Sequence, residues 1–256
     1  MGRRPMRIVG VIPARFKSTR LEGKPLMDIH GKPMIRHVYE RARAATRLDD
    51  LLVATDDARI RQAVESFGGK VVMTSPAHAT GTERVAEATQ SLDVDIVVDI
   101  QGDEPLFDPM LINECIQPLR ADPSVPVATL MRIIQEESAY GDPAVVKVVR
   151  SLDGKALYFS RSLIPFPRNC SKGLKVYEHI GIYAYTKDCL LRIAKLLPSP
   201  LEIVEGLEQL RVLENGIPIQ VVETRCTCPY VSVDTAQDLE KARQIMALGP
   251  RIMCGS

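Results

Sequence analysis

Four cations, Arg15, Lys17, Arg20 and Lys24, crowd the stretch that follows an apolar, β-branched run, Ile8-Val9-Gly10-Val11-Ile12. The run reads as a buried strand, and cations just past the carboxyl end of a first strand lie where an open α/β sheet binds its ligand. Guanidinium and ammonium groups in that place suit a polyphosphate; a solvated basic loop is the alternative. A second block, Gln101-Gly102-Asp103-Glu104-Pro105, follows another apolar run, Ile96-Val97-Val98-Asp99-Ile100. Asp103 there is a hard oxygen donor for Mg²⁺ bridging phosphate oxygens, or else a strand-end turn residue. Glu104 reads either as a second ligand or as part of the turn. In Ala79-Thr80-Gly81-Thr82-Glu83-Arg84-Val85, Gly81 lets backbone approach a ligand, Thr82 can cap or start a helix, and Arg84 adds charge to its first turn. A further carboxylate, Asp234 in Ser232-Val233-Asp234-Thr235, can clamp an ion together with Asp103 or simply cap the last helix.

The elements that must position these groups alternate. Strands are expected over 8–12, 51–55, 71–73 and 96–100. Between them fall a helix opened by Pro33 with Met34, Ile35, Val38 and Ala42 on its apolar face, and one carrying Ile60, Val64 and Phe67 that stops at Gly68-Gly69. A third helix is expected over 82–92. That alternation implies a parallel sheet with right-handed crossovers. The second half changes character: strands over 127–131, 145–149, 156–159, 180–185 and 219–222, and helices over 187–197, 201–214 and 235–248. No repeat or linker divides the chain. It reads as one mixed-sheet α/β domain over 1–256, with a core of about 7–247 and a loose tail over 248–256.

Composition excludes several classes. A net charge of +1, no Trp and 5% aromatic residues argue against a nucleic-acid surface. No apolar run approaches the roughly 20 residues of a membrane span, and the N-terminus lacks a signal peptide's apolar region. A cytoplasmic protein is expected. Of six cysteines only Cys226 and Cys228 are close in sequence, with no second pair or histidine at zinc-site spacing, so reduced thiols are expected.

Taken together, these blocks are far more specific than any alone. Ile12-Pro13-Ala14-Arg15, Ser18-Thr19-Arg20-Leu21, Gly23-Lys24-Pro25-Leu26, Ala54-Thr55-Asp56, Gly81-Thr82-Glu83-Arg84 and Gln101-Gly102-Asp103-Glu104-Pro105 occur in order. They are followed by Ala156-Leu157-Tyr158-Phe159-Ser160-Arg161, His179-Ile180-Gly181-Ile182-Tyr183, Leu207-Glu208-Gln209-Leu210 and Val233-Asp234-Thr235. The chain resembles the 3-deoxy-D-manno-octulosonate (Kdo) cytidylyltransferases, from about Ile8 to Met246. The resemblance implies a nucleotide-diphospho-sugar transferase fold, a Rossmann-like mixed sheet with a smaller lobe for dimerisation and the sugar site. It also implies a homodimer that joins Kdo to CTP with Mg²⁺, releasing pyrophosphate, for lipopolysaccharide precursor synthesis. By the same resemblance Ala14, Arg15, Arg20, Lys24, Gly81, Thr82 and Gln101 bind CTP, and Arg15, Lys24, Asp103 and Asp234 are catalytic. Asp103 and Asp234 would hold metal, and Arg161, His179, Tyr183, Glu208 and Gln209 the sugar. Read from its position alone, His179 suits a structural role at a strand end, and Glu208 and Gln209 the polar face of a helix. An 8-amino analogue or another acid sugar remains open as acceptor, as does a non-catalytic nucleotide sensor.

Overall fold

The β-branched run at Ile8 does become a strand, and both its faces are covered. In the computed structural model, which describes residues 4–17, 21–169 and 173–249, this is β1 (Ile8–Ala14). Arg20, Cys170, Cys254 and the last residues of the expected tail lie outside the described residues. The next elements are a two-strand hairpin, β2 (Asp28–Ile29) and β3 (Lys32–Pro33), then α1 (Met34–Arg43), β4 (Asp50–Thr55), α2 (Ala58–Ser66) and β5 (Val71–Met73). They continue with α3 (Gly81–Thr89), β6 (Ile96–Asp99), α4 (Pro109–Ala121), β7 (Val127–Ile133), β8 (Lys147–Arg150), β9 (Ala156–Ser160) and β10 (Tyr177–Thr186). The last are α5 (Lys187–Ile193), α6 (Pro200–Glu205), α7 (Gln209–Glu214), β11 (Ile219–Glu223) and α8 (Ala236–Ala247).

These elements group into two compact units, one of residues 1–113 and 226–256, the other of residues 114–225. In the first unit, β1 pairs in parallel with β4 and β6, and β4 with β5. All carboxyl ends of its sheet therefore point one way, as the alternating pattern required. A chain that left this unit at residue 113 returns to it as α8, which packs Leu239 and Ala242 against Ile29, Met34, Leu106 and Val233. Arg243 fastens that helix to the hairpin by donating to the Asp28 carbonyl at 2.7 Å.

The second unit holds a mixed sheet. Here β7 pairs antiparallel with β10 and parallel with β11, while β8 pairs antiparallel with β9 and β10. One expectation fails in this unit: the single helix over 201–214 is two. Gly206 caps α6 in the left-handed region at φ 62°, and α7 begins only after Glu208. Glycine accepts that conformation where a residue with a Cβ resists it, so the chain turns rather than continues. Glu208 thus stands at the mouth of α7, not along a helix face.

Two ion-paired groups hold the broken helix in shape. Arg211 Nε donates to Glu202 Oε2 at 2.7 Å, its Nη2 to Oε1 at 2.5 Å, and its Nη1 to the Leu196 carbonyl at 2.9 Å. Glu202 also closes the capping box that opens α6, accepting from the Ser199 N–H. Both side chains are largely withdrawn from water. Removing one partner strands the other, so Arg211→Leu is expected to cost about 3–5 kcal/mol in urea denaturation. Glu202→Gln, which keeps an oxygen for the cap, should recover part of that loss when combined with it.

Candidate active site

In the first unit, the strand ends and the turns after them bring the charged residues together. Ala14 ends β1 buried and Arg15 follows it exposed. The loop after it is closed where the Gly23 N–H donates to the Phe16 carbonyl at 2.9 Å. Gly23 adopts φ 68° and opens the short turn Lys24–Leu26, which turns Lys24 inward. Lys24 Nζ donates to Asp103 Oδ2 at 2.7 Å and to Asp234 Oδ1 at 3.1 Å. Burial alone would lower its pKa, but the two carboxylates outweigh that and raise it, so the ammonium stays charged.

Two devices place the carboxylates. Gly102 lets the loop after β6 pass over the end of β1: a Cβ there would lie 2.8 Å from the Pro13 carbonyl oxygen. The Val233 N–H donates to the Asp103 carbonyl at 2.8 Å, joining the two carboxylate-bearing segments through backbone. The suggestion that Asp234 caps the last helix is not what the structure shows. Thr235 does so in a capping box with Asp238, leaving the Asp234 carboxylate to Lys24. Thr80, not Thr82, likewise caps α3, accepting from the Glu83 N–H at 3.2 Å. Thr82 is buried, and Gly81 lies against Pro13 of β1. Gln101 is half-buried, its Nε2 3.5 Å from Asp99 Oδ1. Arg84 is spent inside the fold, on Thr74 Oγ1 and on an ion pair with Asp56 at 3.3 Å.

Glu104 is neither an exposed turn residue nor an arm beside Asp103. It is buried, with Ser232 Oγ donating to Oε1 at 3.2 Å. Burial, reinforced by the Asp103 charge, pushes its pKa up to about 8 against the pull of hydrogen bonds from Tyr230 and Ser232.

The sugar-site residues of the resemblance fall in the second unit. Arg161 follows β9, and its guanidinium donates to the carbonyls of Glu205 at 2.7 Å, Pro143 at 2.8 Å and Gly206 at 3.3 Å. It is thereby fastened to the turn that leads into Glu208 and Gln209, both half-buried. His179 lies edge-on to Phe159, ring centres 5.1 Å apart, and 5.3 Å from the ring of Tyr183, itself buried and stacked on Tyr185. Burial pushes the His179 pKa down to about 3, so the ring is neutral. Thr129 Oγ1 lies 3.1 Å and 2.9 Å from the Ile180 and Ile182 carbonyls and 3.0 Å from His179 Nε2. One hydroxyl hydrogen serves a carbonyl, so the hydroxyl accepts from Nε2–H and Nδ1 is left as an acceptor.

One residue of this region had no signal in the sequence. Lys147 is fully buried, and its ammonium donates to the carbonyls of Arg161 at 2.6 Å, Val145 at 2.7 Å and Asp142 at 2.8 Å. Only the position of a lysine inside an apolar strand could have hinted at it.

A parallel sheet gathers an ammonium and two carboxylates at its carboxyl ends, where an open α/β sheet binds its ligand. A family model described as cytidylyltransferase matches residues 9–222. The 3-deoxy-manno-octulosonate cytidylyltransferase of Myxococcus xanthus is 52% identical over 241 residues, 94% of this chain and 96% of that protein. The protein of the same name from Geobacter sulfurreducens is 50% identical over 246 residues, 92% and 98% of the two chains. A solved structure of CMP:2-keto-3-deoxy-manno-octonic acid synthetase complexed with CTP matches at a TM-score of 0.89 and 47% identity. It covers 94% of this chain and 99% of that one. The chain belongs to the 3-deoxy-manno-octulosonate cytidylyltransferase family.

Glu104 generates a test of the site's electrostatics. An ordinary carboxyl titrates near 4.5, this one near 8, so between those values the folded chain holds a proton that the unfolded chain has lost. Stability should therefore fall as pH rises through that window, by up to about 5 kcal/mol for this one group. Glu104→Gln should flatten the decline of the melting temperature between pH 5 and 8.

Proposed function

We propose that the chain transfers the cytidylyl group of CTP to Kdo, giving CMP-Kdo and pyrophosphate for lipopolysaccharide precursor synthesis. The observation that carries this reading is the convergence of Asp103 and Asp234 on one ammonium beside the end of β1. Two carboxylate oxygens that already share one cation also suit Mg²⁺, which is bound through carboxylate and phosphate oxygens. When bound there, Mg²⁺ would offset phosphate charge and favour the deprotonated form of an attacking hydroxyl.

The protein's own groups do the rest. Arg15 and Lys24 draw in the triphosphate, with Arg20 on the same loop and Ala14, Gly81, Thr82 and Gln101 around the nucleotide. Offsetting the phosphate charge allows an anionic sugar to approach a polyanion, and that attraction grows as charge builds on the departing pyrophosphate. Arg161, His179, Tyr183, Glu208 and Gln209 take the sugar. A guanidinium has five N–H donors, and carbonyls use three of those on Arg161. The others can meet the sugar carboxylate. His179, being neutral with an acceptor at Nδ1, suits a hydroxyl and not an anion. We place the enzyme in the cytoplasm as a homodimer. No helix among the described residues is long and apolar enough to cross a membrane, and Leu197, Leu201, Ile203 and Val204, exposed in and before α6, support a contact between copies.

Pyrophosphate release should require CTP, Kdo and Mg²⁺ together, each omission abolishing it. Asp103→Asn is expected to slow turnover about 100-fold or more; near-normal turnover at ordinary Mg²⁺ would remove Asp103 from the metal site. Gln209→Ala should raise the KM for Kdo about tenfold, the loss of a polar contact of roughly 1.4 kcal/mol, with the KM for CTP unchanged. A silent variant would take Gln209 out of the sugar site.

A further inference from the structure

Three groups that the proposed reaction does not use meet within the first unit, at the entry to α4. The ligand atoms of Asp108, Cys226 and Cys228 all lie within 4.8 Å of one another. Cys228 Sγ is 3.3 Å from Asp108 Oδ2, and the Cys228 N–H donates to Cys226 Sγ at 3.4 Å. Both thiols are buried and neither is in a disulfide. The carboxylate is fixed from the other side. Its Oδ1 accepts from the Met110 N–H at 2.7 Å and its backbone carbonyl from the Leu111 N–H at 3.0 Å, so Oδ2 is the oxygen turned to sulfur.

Two sulfurs and one carboxylate oxygen are a donor set for a borderline-soft cation. Tetrahedral zinc, with metal–sulfur distances of about 2.3 Å and metal–oxygen distances of about 2.1 Å, needs its ligand atoms about 3.6–3.8 Å apart. The observed cluster brackets that spacing, one pair being closer and the whole set fitting within 4.8 Å, so side-chain adjustments of about 1 Å complete it. Sequence spacing hid the site, because the third ligand comes from a distant part of the chain and is neither cysteine nor histidine.

We propose that Asp108, Cys226 and Cys228 bind one zinc-like divalent cation, with water as the fourth ligand. The ligands also stand at telling places along the chain. Asp108 closes the segment that runs from β6 through Asp103, and Cys226 and Cys228 open the one that runs to Asp234. An ion held there staples those two segments at a second point, remote in chemistry from the oxygen-only pair at Lys24. The proposal does not depend on which acid sugar the enzyme uses.

The test is a Co²⁺ titration of the intact, reduced protein in saturating Mg²⁺, which keeps hard-oxygen sites occupied. One equivalent of Co²⁺ should give an intense sulfur-to-cobalt charge-transfer band with the visible bands of a tetrahedral centre, and Zn²⁺ should displace it. The band should vanish in Cys226→Ser/Cys228→Ser and persist in Cys189→Ser. Asp108→Asn, which keeps the oxygen that caps α4, should keep a band but weaken Co²⁺ binding about tenfold or more. Zn²⁺ should also raise the melting temperature of the parent and leave that of the double serine variant unmoved. Absence of the band, or its survival in the double serine variant, overturns the proposal.

Discussion

Two carboxylates from distant parts of the chain share one ammonium, and much of the first unit is arranged to keep that contact. Asp103 and Asp234 carry like charges that repel at this range. Lys24 offsets the repulsion, while the bond from Val233 to the Asp103 carbonyl sets the spacing without using either side chain. Neighbouring groups avoid disturbing it. Asp238 and Thr235 cap α8 between them, so Asp234 is not drawn into that work. Glu104, adjacent to Asp103, is kept protonated by its burial and adds no third negative charge.

The second unit solves a different problem, that of presenting polar groups without letting them wander. Arg161 and Lys147 are each tied to three backbone carbonyls, and Lys147 holds the carbonyl of Arg161 itself. His179 is held by Thr129 on one nitrogen and lies edge-on to Phe159 and tilted against Tyr183. Fixed in this way, such groups have little conformational freedom left to lose.

Much of this was legible from residue pattern. The strands of the parallel sheet were found nearly to their ends, because β-branched runs bounded by Asp, Gly and Pro have few other readings. Asp103 and Lys24 were legible by position, at the exits of strands. For Asp234 the pattern left two readings, a clamp with Asp103 or a cap of the last helix, and only the capping box of Thr235 excludes the cap. Helix α4 was missed: it follows a Gly- and Pro-rich turn and carries Pro118 inside it, two signals that ordinarily argue against a helix. The break at Gly206 is hidden in the pattern over 201–214, because glycine in a periodic pattern looks the same whether it is tolerated or used. Glu104 and Lys147 were illegible as interior groups, for burial of a charge is decided by tertiary contacts alone.

The first unit is assembled from both ends of the chain, residues 1–113 and 226–256. During synthesis Lys24 and Asp103 leave the ribosome early, and Asp234 emerges only after the whole second unit. A chain cut short between Asp103 and Asp234 therefore has the cation loop and one carboxylate but neither the second carboxylate nor the helix that covers Leu106 and Ile29. Half-made copies cannot complete the cluster, and they leave bare the apolar face that Leu239 and Ala242 otherwise cover.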